Sequence, residues 1–517
     1  MRSTLVVSGS RLLNTGLSLV LGMLSATFFG TSVEKDCYLV AQTIPNLVSA
    51  LLLGGLYGNL LVSLAEVGRR EGISGQKRFA RQMLWHLTLL MTPGVLVAIA
   101  GARFLIASIA PGLGPGQIDL GAALLRISVF ALAAGVYFTV IRCLFEARGR
   151  FVAPYFTSVL VNLVSLLILV LLVRKIGIFA LAAGPVLGGG IAVVLLYLLT
   201  GKTLRDPIGF SPAPVDRAIR DRQQRRFWAA FLPMSIAGNI GPINLLVDNA
   251  FASFLRAGSI TTLGFAFVIV SNAEMLTSLS LAEVAFPRLA AAAQAGREEL
   301  AATLRSSQRY MLIVTAPLSA GVLVFGAPVA RLLFERGQFL PESTMMVAKL
   351  LACYAPEILF MGYLVLLSRV LFATRRLAPL AWTSAGAIAA NALLDYLLIE
   401  PFGLPGIALA TTGVALLHVL LLVPLVRREV GDLQGRGDGL FMVKIVMSAA
   451  IMGAVVLVWA TLFERFADVR SETLRLVEVA VGIGLGGGIY TALMHALRIA
   501  EARDLFQRLL RLTVGRS

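Results

Sequence analysis

The chain is short of charge, of histidine and of cysteine. Only 14% of its 517 residues are charged, against the roughly one quarter usual in water-soluble domains, which excludes a solvated globular surface. Its three cysteines, Cys37, Cys143 and Cys353, stand singly in apolar stretches. That leaves no paired spacing for zinc and no disulfide framework. The formal charge is +17, yet no basic stripe interleaves with aromatics, so no nucleic-acid partner is expected. Arg2 is followed by an apolar run that no small-residue cleavage site closes, so the first helix is read as retained. What is abundant is long apolar sequence: 58% of residues are hydrophobic and the mean hydropathy is +0.85.

A bilayer core about 30 Å thick is crossed by roughly 20 apolar residues of helix, and about fourteen segments meet that requirement. They are 5–29, 37–65, 84–109, 120–145, 152–173, 176–200, 227–255, 260–285, 310–333, 345–372, 378–399, 404–426, 441–463 and 473–497. The expected fold class is all-α, a polytopic membrane protein. Basic loops stay cytoplasmic because Lys and Arg resist translocation, and alternate loops here carry about 29 against about seven basic residues. The rich set runs from Arg2 and Arg69 through Arg148, Arg217, Arg297, Arg375 and Arg427 to Arg511. Both termini are therefore expected in the cytoplasm, which requires an even number of spans.

The sequence divides into an N-terminal lobe of six helices, 1–200, a basic cytoplasmic linker, 201–226, a second lobe of six, 227–426, and two further helices with a tail, 427–517. The lobes echo one another. Ala153-Pro154 precedes Asn162 in the fifth span, and Ala378-Pro379 precedes Asn391 in the eleventh. Such internal repeats suit a transporter with its site between two related bundles.

Ionisable groups inside a bilayer cost at least about 2.5–3.5 kcal/mol each, so those that persist face a cavity or a partner. The best constellation is Asp248, Asn391, Asp395 and Thr411. Asn391 and Asp395 are four apart and share a helical face. Hard oxygen donors without thiolate or imidazole suit a hard cation, or a proton shared between carboxylates. Ordinary hydrogen bonding between helices is the competing reading. In the first half, Arg11, Arg126 and Arg142 lie inside or at the edge of spans, with Asp36 and Glu146 at helix ends. Guanidinium forks bind phosphate bidentately, whereas snorkelling to the interface is the alternative, above all for Arg142. Glu274, Glu283 and Glu357 have no evident partner in the sequence, and His418 reads as packed.

Seven collinear stretches carry a resemblance. KDCYLVAQTIPNL at 35–47 and LAE at 64–66 are joined by APGL at 110–113, LLRI at 124–127, FASFLRAGS at 251–259, FPRLA at 286–290 and LLFERGQF at 332–339. Together they resemble the MurJ/MviN lipid II flippases of the MOP exporter superfamily. The resemblance implies a fourteen-helix, two-lobed carrier in the bacterial inner membrane. It would be no enzyme, and would move an undecaprenyl-linked cell-wall precursor among membrane lipids by alternating access, as a monomer. It also implies a sodium site from Asp248, Asn391, Asp395 and Thr411, with the Ile407 carbonyl as a further ligand and a proton as the alternative coupling ion. No other cofactor is implied. Candidate substrate contacts are Arg11, Asp36, Asn46 and Arg126. The family's cavity arginines fall here on Leu21, Ser49, Ala50 and Val268, and the acid beside the first of them on Gly22, so the chain resembles a divergent member. Two alternatives compete: a drug or metabolite antiporter of the same superfamily, and a membrane glycosyltransferase, which the short outer loops disfavour.

Overall fold

The computed structural model describes residues 2–204, 227–228, 231, 240–432, 435, 437–467 and 471–504. The chain is α-helical throughout these residues, with no strand among them. Contacts divide it into two compact units, 1–261 and 262–517.

The first unit holds α1 (Arg2–Phe29), α2 (Val33–Ala100), α3 (Ala102–Ile109), α4 (Pro115–Glu146), α5 (Val152–Ile176), α6 (Phe179–Leu204) and α7 (Ile240–Ala252). Local chemistry sets their ends. Ser32 caps α2 by accepting the Lys35 N–H, and Glu34 and Asp36 place acid in the first turn, where the helix dipole favours it. Pro115 opens α4, the first helical position being the one where a missing N–H costs nothing. Gly177, at φ 55°, reverses the chain between α5 and α6. The core is built by α2 and α4, where Leu56, Leu60, Leu64 and Met83 meet Val136 and Val140.

The second unit follows with α8 (Ser259–Glu274), which starts at the division, a π-helical turn at Met275–Leu279, α9 (Ser280–Ala295), α10 (Arg297–Phe334), α11 (Pro341–Ala373), α12 (Leu377–Phe402), α13 (Leu404–Val430), α14 (Asp438–Phe466) and α15 (Glu472–Ala496). One apolar cluster joins α9, α10, α11 and α13 through Leu289, Leu304, Leu367 and Leu422. A second seats α14 and α15 on α10 through Phe325, Met452, Val456 and Val479. The last two helices are thus packed into this unit.

Twelve described helices are long and apolar enough to cross a bilayer. The expected second and third spans run together as α2, and the one non-helical residue in it is Gly72, at φ 68° and ψ −158°. The expected seventh span is described as a helix only over Ile240–Ala252. With these two, the expected pattern and the helices agree. Most of the linker, 205–226, lies outside the described residues.

Candidate functional site

The best-organised polar group of the second unit sits on the α12–α13 hairpin. Asn391 and Asp395 are both fully buried, and Asn391 Nδ2 donates to Asp395 Oδ2 at 3.2 Å. The shared helical face therefore becomes a contact. On α13, Thr411 Oγ1 donates to the Ile407 carbonyl at 3.1 Å, and Ile407 is fully buried. Close packing holds the two helices in register. Gly403, at φ 62°, makes the turn, and a Cβ on Gly406 would lie 2.2 Å from the Leu398 carbonyl oxygen. A Cβ on Gly413 would meet the Leu394 side chain at 3.4 Å, so Thr411 lies between two points of contact that bracket Asp395.

The two pairs offer a carboxylate and an amide on α12, and a hydroxyl and a backbone carbonyl on α13. All are oxygen or amide groups of the kind that hold a hard monovalent ion or a proton, and none favours a soft metal. Among the described residues, no three His, Cys, Asp or Glu side chains cluster as a metal site. Asp248, the fourth expected ligand, is buried on α7 in the first unit. Its neighbour Asn249 donates to Thr43 Oγ1 at 3.1 Å.

In the first unit the acid of the first signature stretch has a defined task. Asp36 is buried, its Oδ2 accepts the Gly258 N–H at 2.5 Å and its Oδ1 accepts the Thr261 N–H at 2.7 Å. A carboxylate that accepts two N–H groups at a helix start serves donors lying where the helix itself offers no acceptor. This clasp ties the start of α2 to the start of α8. The sequence offers no periodicity that would reveal it.

The remaining substrate candidates are separate from one another. Asn46 and Arg126 are exposed, and Arg126 Nε donates to the Ile99 carbonyl, at 3.3 Å, near the end of α2. The Arg11 side chain lies outside the described ones. Of the positions on which the resemblance places the family's arginines, Leu21, Ser49, Ala50 and Val268, the last is 38% exposed.

Two polar networks went unread in the sequence. Arg142, expected to snorkel, instead bonds Glu146 Oε1 at 2.7 Å and the Tyr155 hydroxyl at 3.2 Å. Its guanidinium lies 4.9 and 5.0 Å from the Tyr57 and Tyr155 ring centres, and Tyr57 donates to Glu146 Oε2 at 2.7 Å. Sequence spacing of four was the available signal. The second network joins α1 to α5: Asn162 Nδ2 donates to Asn14 Oδ1 at 3.1 Å, and Asn14 Nδ2 to Ser158 Oγ at 2.8 Å. The sequence sets Asn162 against Asn391 in the expected repeat, but Leu166 stands four residues on, where Asn391 is followed by Asp395.

The chain matches the model of the lipid II flippase MurJ family over residues 25–478. It is 26% identical to the lipid II flippase MurJ of Burkholderia cenocepacia over 514 residues, covering 96% of this chain and 97% of that protein. To the probable lipid II flippase MurJ of Rhizobium meliloti it is 27% identical over 527 residues, covering 95% and 96%. Among solved structures it resembles a lipid II flippase MurJ in an inward closed conformation, with TM-score 0.76 at 19% identity, covering 95% of this chain and 99% of the other. It also resembles an inward-facing multidrug resistance MATE transporter of the MOP superfamily, with TM-score 0.68 at 14% identity, covering 81% and 95%. The collinear signatures, the helical architecture and the family match over 25–478 agree: this chain belongs to the lipid II flippase MurJ family.

Proposed function

We propose that the protein moves a polyprenyl-pyrophosphate-linked saccharide, lipid II or a related cell-envelope precursor, across the bacterial inner membrane by alternating access. It does so as a monomer with both termini in the cytoplasm. The observation that carries this reading is the family match across residues 25–478. Coupling to sodium or a proton is assigned to Asn391, Asp395, Thr411 and the Ile407 carbonyl on the α12–α13 hairpin. A bound ion biases the carrier only through different affinities for its two states. Here the chain's own part is to hold the α12–α13 hairpin in one register, so that ligands from both helices stay in reach.

The loss of the family's arginines at Ser49, Ala50 and Val268 favours a second reading, a drug or metabolite antiporter of the same superfamily, for which an apolar cavity suffices. Proteoliposomes loaded with fluorescent lipid II separate the two. Translocation that requires the protein and responds to a sodium gradient is expected. Absence of flipping, together with cation-driven efflux of small cationic drugs, overturns the first reading in favour of the second.

A further inference from the structure

Helix α15 meets the end of α10 through three charged rungs. Glu472 pairs with Arg336 at 2.7 Å and Arg475 with Glu335 at 2.9 Å, while Glu478 lies 3.8 Å from Arg331. Residues three apart share a helical face, and this face sinks inward, from a side chain 68% exposed at Glu472 through 10% at Arg475 to none at Glu478. The innermost rung is sealed. Trp459 of α14 donates its indole N–H to the Glu478 carbonyl at 3.0 Å. One turn further on, α15 is pressed so closely on Phe325 that a Cβ on Gly482 would lie 2.4 Å from the ring.

Among the described residues, neither Glu478 side-chain oxygen has a hydrogen-bond partner, and neither has the Arg331 Nη1 opposite. A separation of 3.8 Å exceeds the roughly 3.2 Å limit of a hydrogen bond and falls short of the roughly 4.5 Å that a bridging water would need. The guanidinium is engaged elsewhere, since Arg331 Nη2 meets Glu464 Oε1 of α14 at 2.7 Å. Arg475 is held by Glu335 through both the carboxylate and the carbonyl. Two guanidinium groups, Arg331 and Arg475, thus stand against three carboxyls, Glu335, Glu464 and Glu478, while Arg336 and Glu472 cancel at the rim. A carboxylate shut off from water and hydrogen bonds costs far more than a neutral carboxyl in the same place. One proton removes the excess of acid.

We propose that Glu478 is a proton-binding site: its carboxyl carries a proton in the folded protein and ionises only when α15 parts from α10. Proton uptake thereby fastens the α14–α15 pair to the second unit, and this site is separate from the cation ligands on the α12–α13 hairpin. An ionised Glu478 paired with Arg331 is the competing state.

Infrared difference spectra of the full-length chain in nanodiscs, wild type minus Glu478→Gln, distinguish the two states at neutral pH. The wild type is expected to show the carbonyl band of a protonated carboxyl that Glu478→Gln lacks. A group that binds its proton more tightly in the folded than in the unfolded chain loses stability as pH rises, so Glu478→Gln is expected to match the wild-type thermal midpoint at about pH 6 and to exceed it by several degrees at about pH 9. Glu464→Gln retains Glu478 and frees Arg331 for it, so the protonated band is expected to vanish there as Glu478 ionises. This variant carries the test should Glu478→Gln fail to fold. Loss of a carboxylate band in Glu478→Gln, with a lower midpoint at both pH values, overturns the proposal, because Glu478 is then the charged partner of Arg331. So does a protonated band that Glu464→Gln leaves unchanged.

Discussion

Gly258 gives its backbone N–H to Asp36 at 2.5 Å while its α-carbon is pressed on the Thr31 carbonyl, where an added Cβ would lie 2.2 Å from the oxygen. Its φ of +87° independently disfavours any side chain. Gly258→Ala is therefore expected to open the clasp by strain. Asp36→Ala opens it by leaving two helix-start donors unsatisfied, at about 1–3 kcal/mol each when buried. Thermal unfolding of both variants in detergent checks this. An unchanged midpoint for Asp36→Ala would show that the clasp contributes nothing to the folded state.

Asp395→Ala is expected to abolish any stabilisation of the protein by sodium. An ion that binds only the folded state adds about 2.7 kcal/mol at one hundred times its dissociation constant, which a thermal scan from low to high sodium reads directly. Asn391→Ala is expected to weaken the response, since it removes the amide bonded to Asp395. Equal sodium response in wild type and Asp395→Ala would remove the proposed ligand set.

Gly406→Ala is expected to spread the α12–α13 hairpin, because the new methyl meets the Leu398 carbonyl at 2.2 Å, and backbone cannot yield as a side-chain tip does. Overpacking of this kind costs about 1–3 kcal/mol. The variant should lose both stability and cation response. Gly386→Ala, on α12 of the same hairpin with open space around it, should lose neither.

Arg142→Met is expected to destabilise by about 3–5 kcal/mol, the cost of stranding one member of a buried pair, since the Glu146 side chain is 2% exposed. Changing both, Arg142→Met with Glu146→Leu, should recover most of the loss. A double variant as unstable as the sum of the singles would mean that the two groups do not act as a pair.

How much of this was legible in the sequence depended on range. Long apolar runs fixed the number and order of the helices, because each span carries its own signal. Asn391 and Asp395 could be read as partners because one turn of helix separates them. The Asp36 clasp could not, since its donors are backbone groups more than 220 positions away and main-chain N–H leaves no mark in composition. Arg142 was misjudged for a related reason. Glu146 lay at the right spacing, but the rings of Tyr57 and Tyr155 come from other helices, and they turn a surface-seeking arginine inward.

The π-helical turn at Met275–Leu279 acts as a phase corrector. At 100° per residue, Val284 would stand about 160° around the axis from Val268, whereas one surplus residue in the winding brings it back to about 60°. Both side chains are exposed, at 38% and 67%, so a single contiguous flank runs from α8 into α9. Deleting one residue from this turn would therefore leave a regular α-helix with the flank still in phase, because fifteen α-helical steps also come to about 60°.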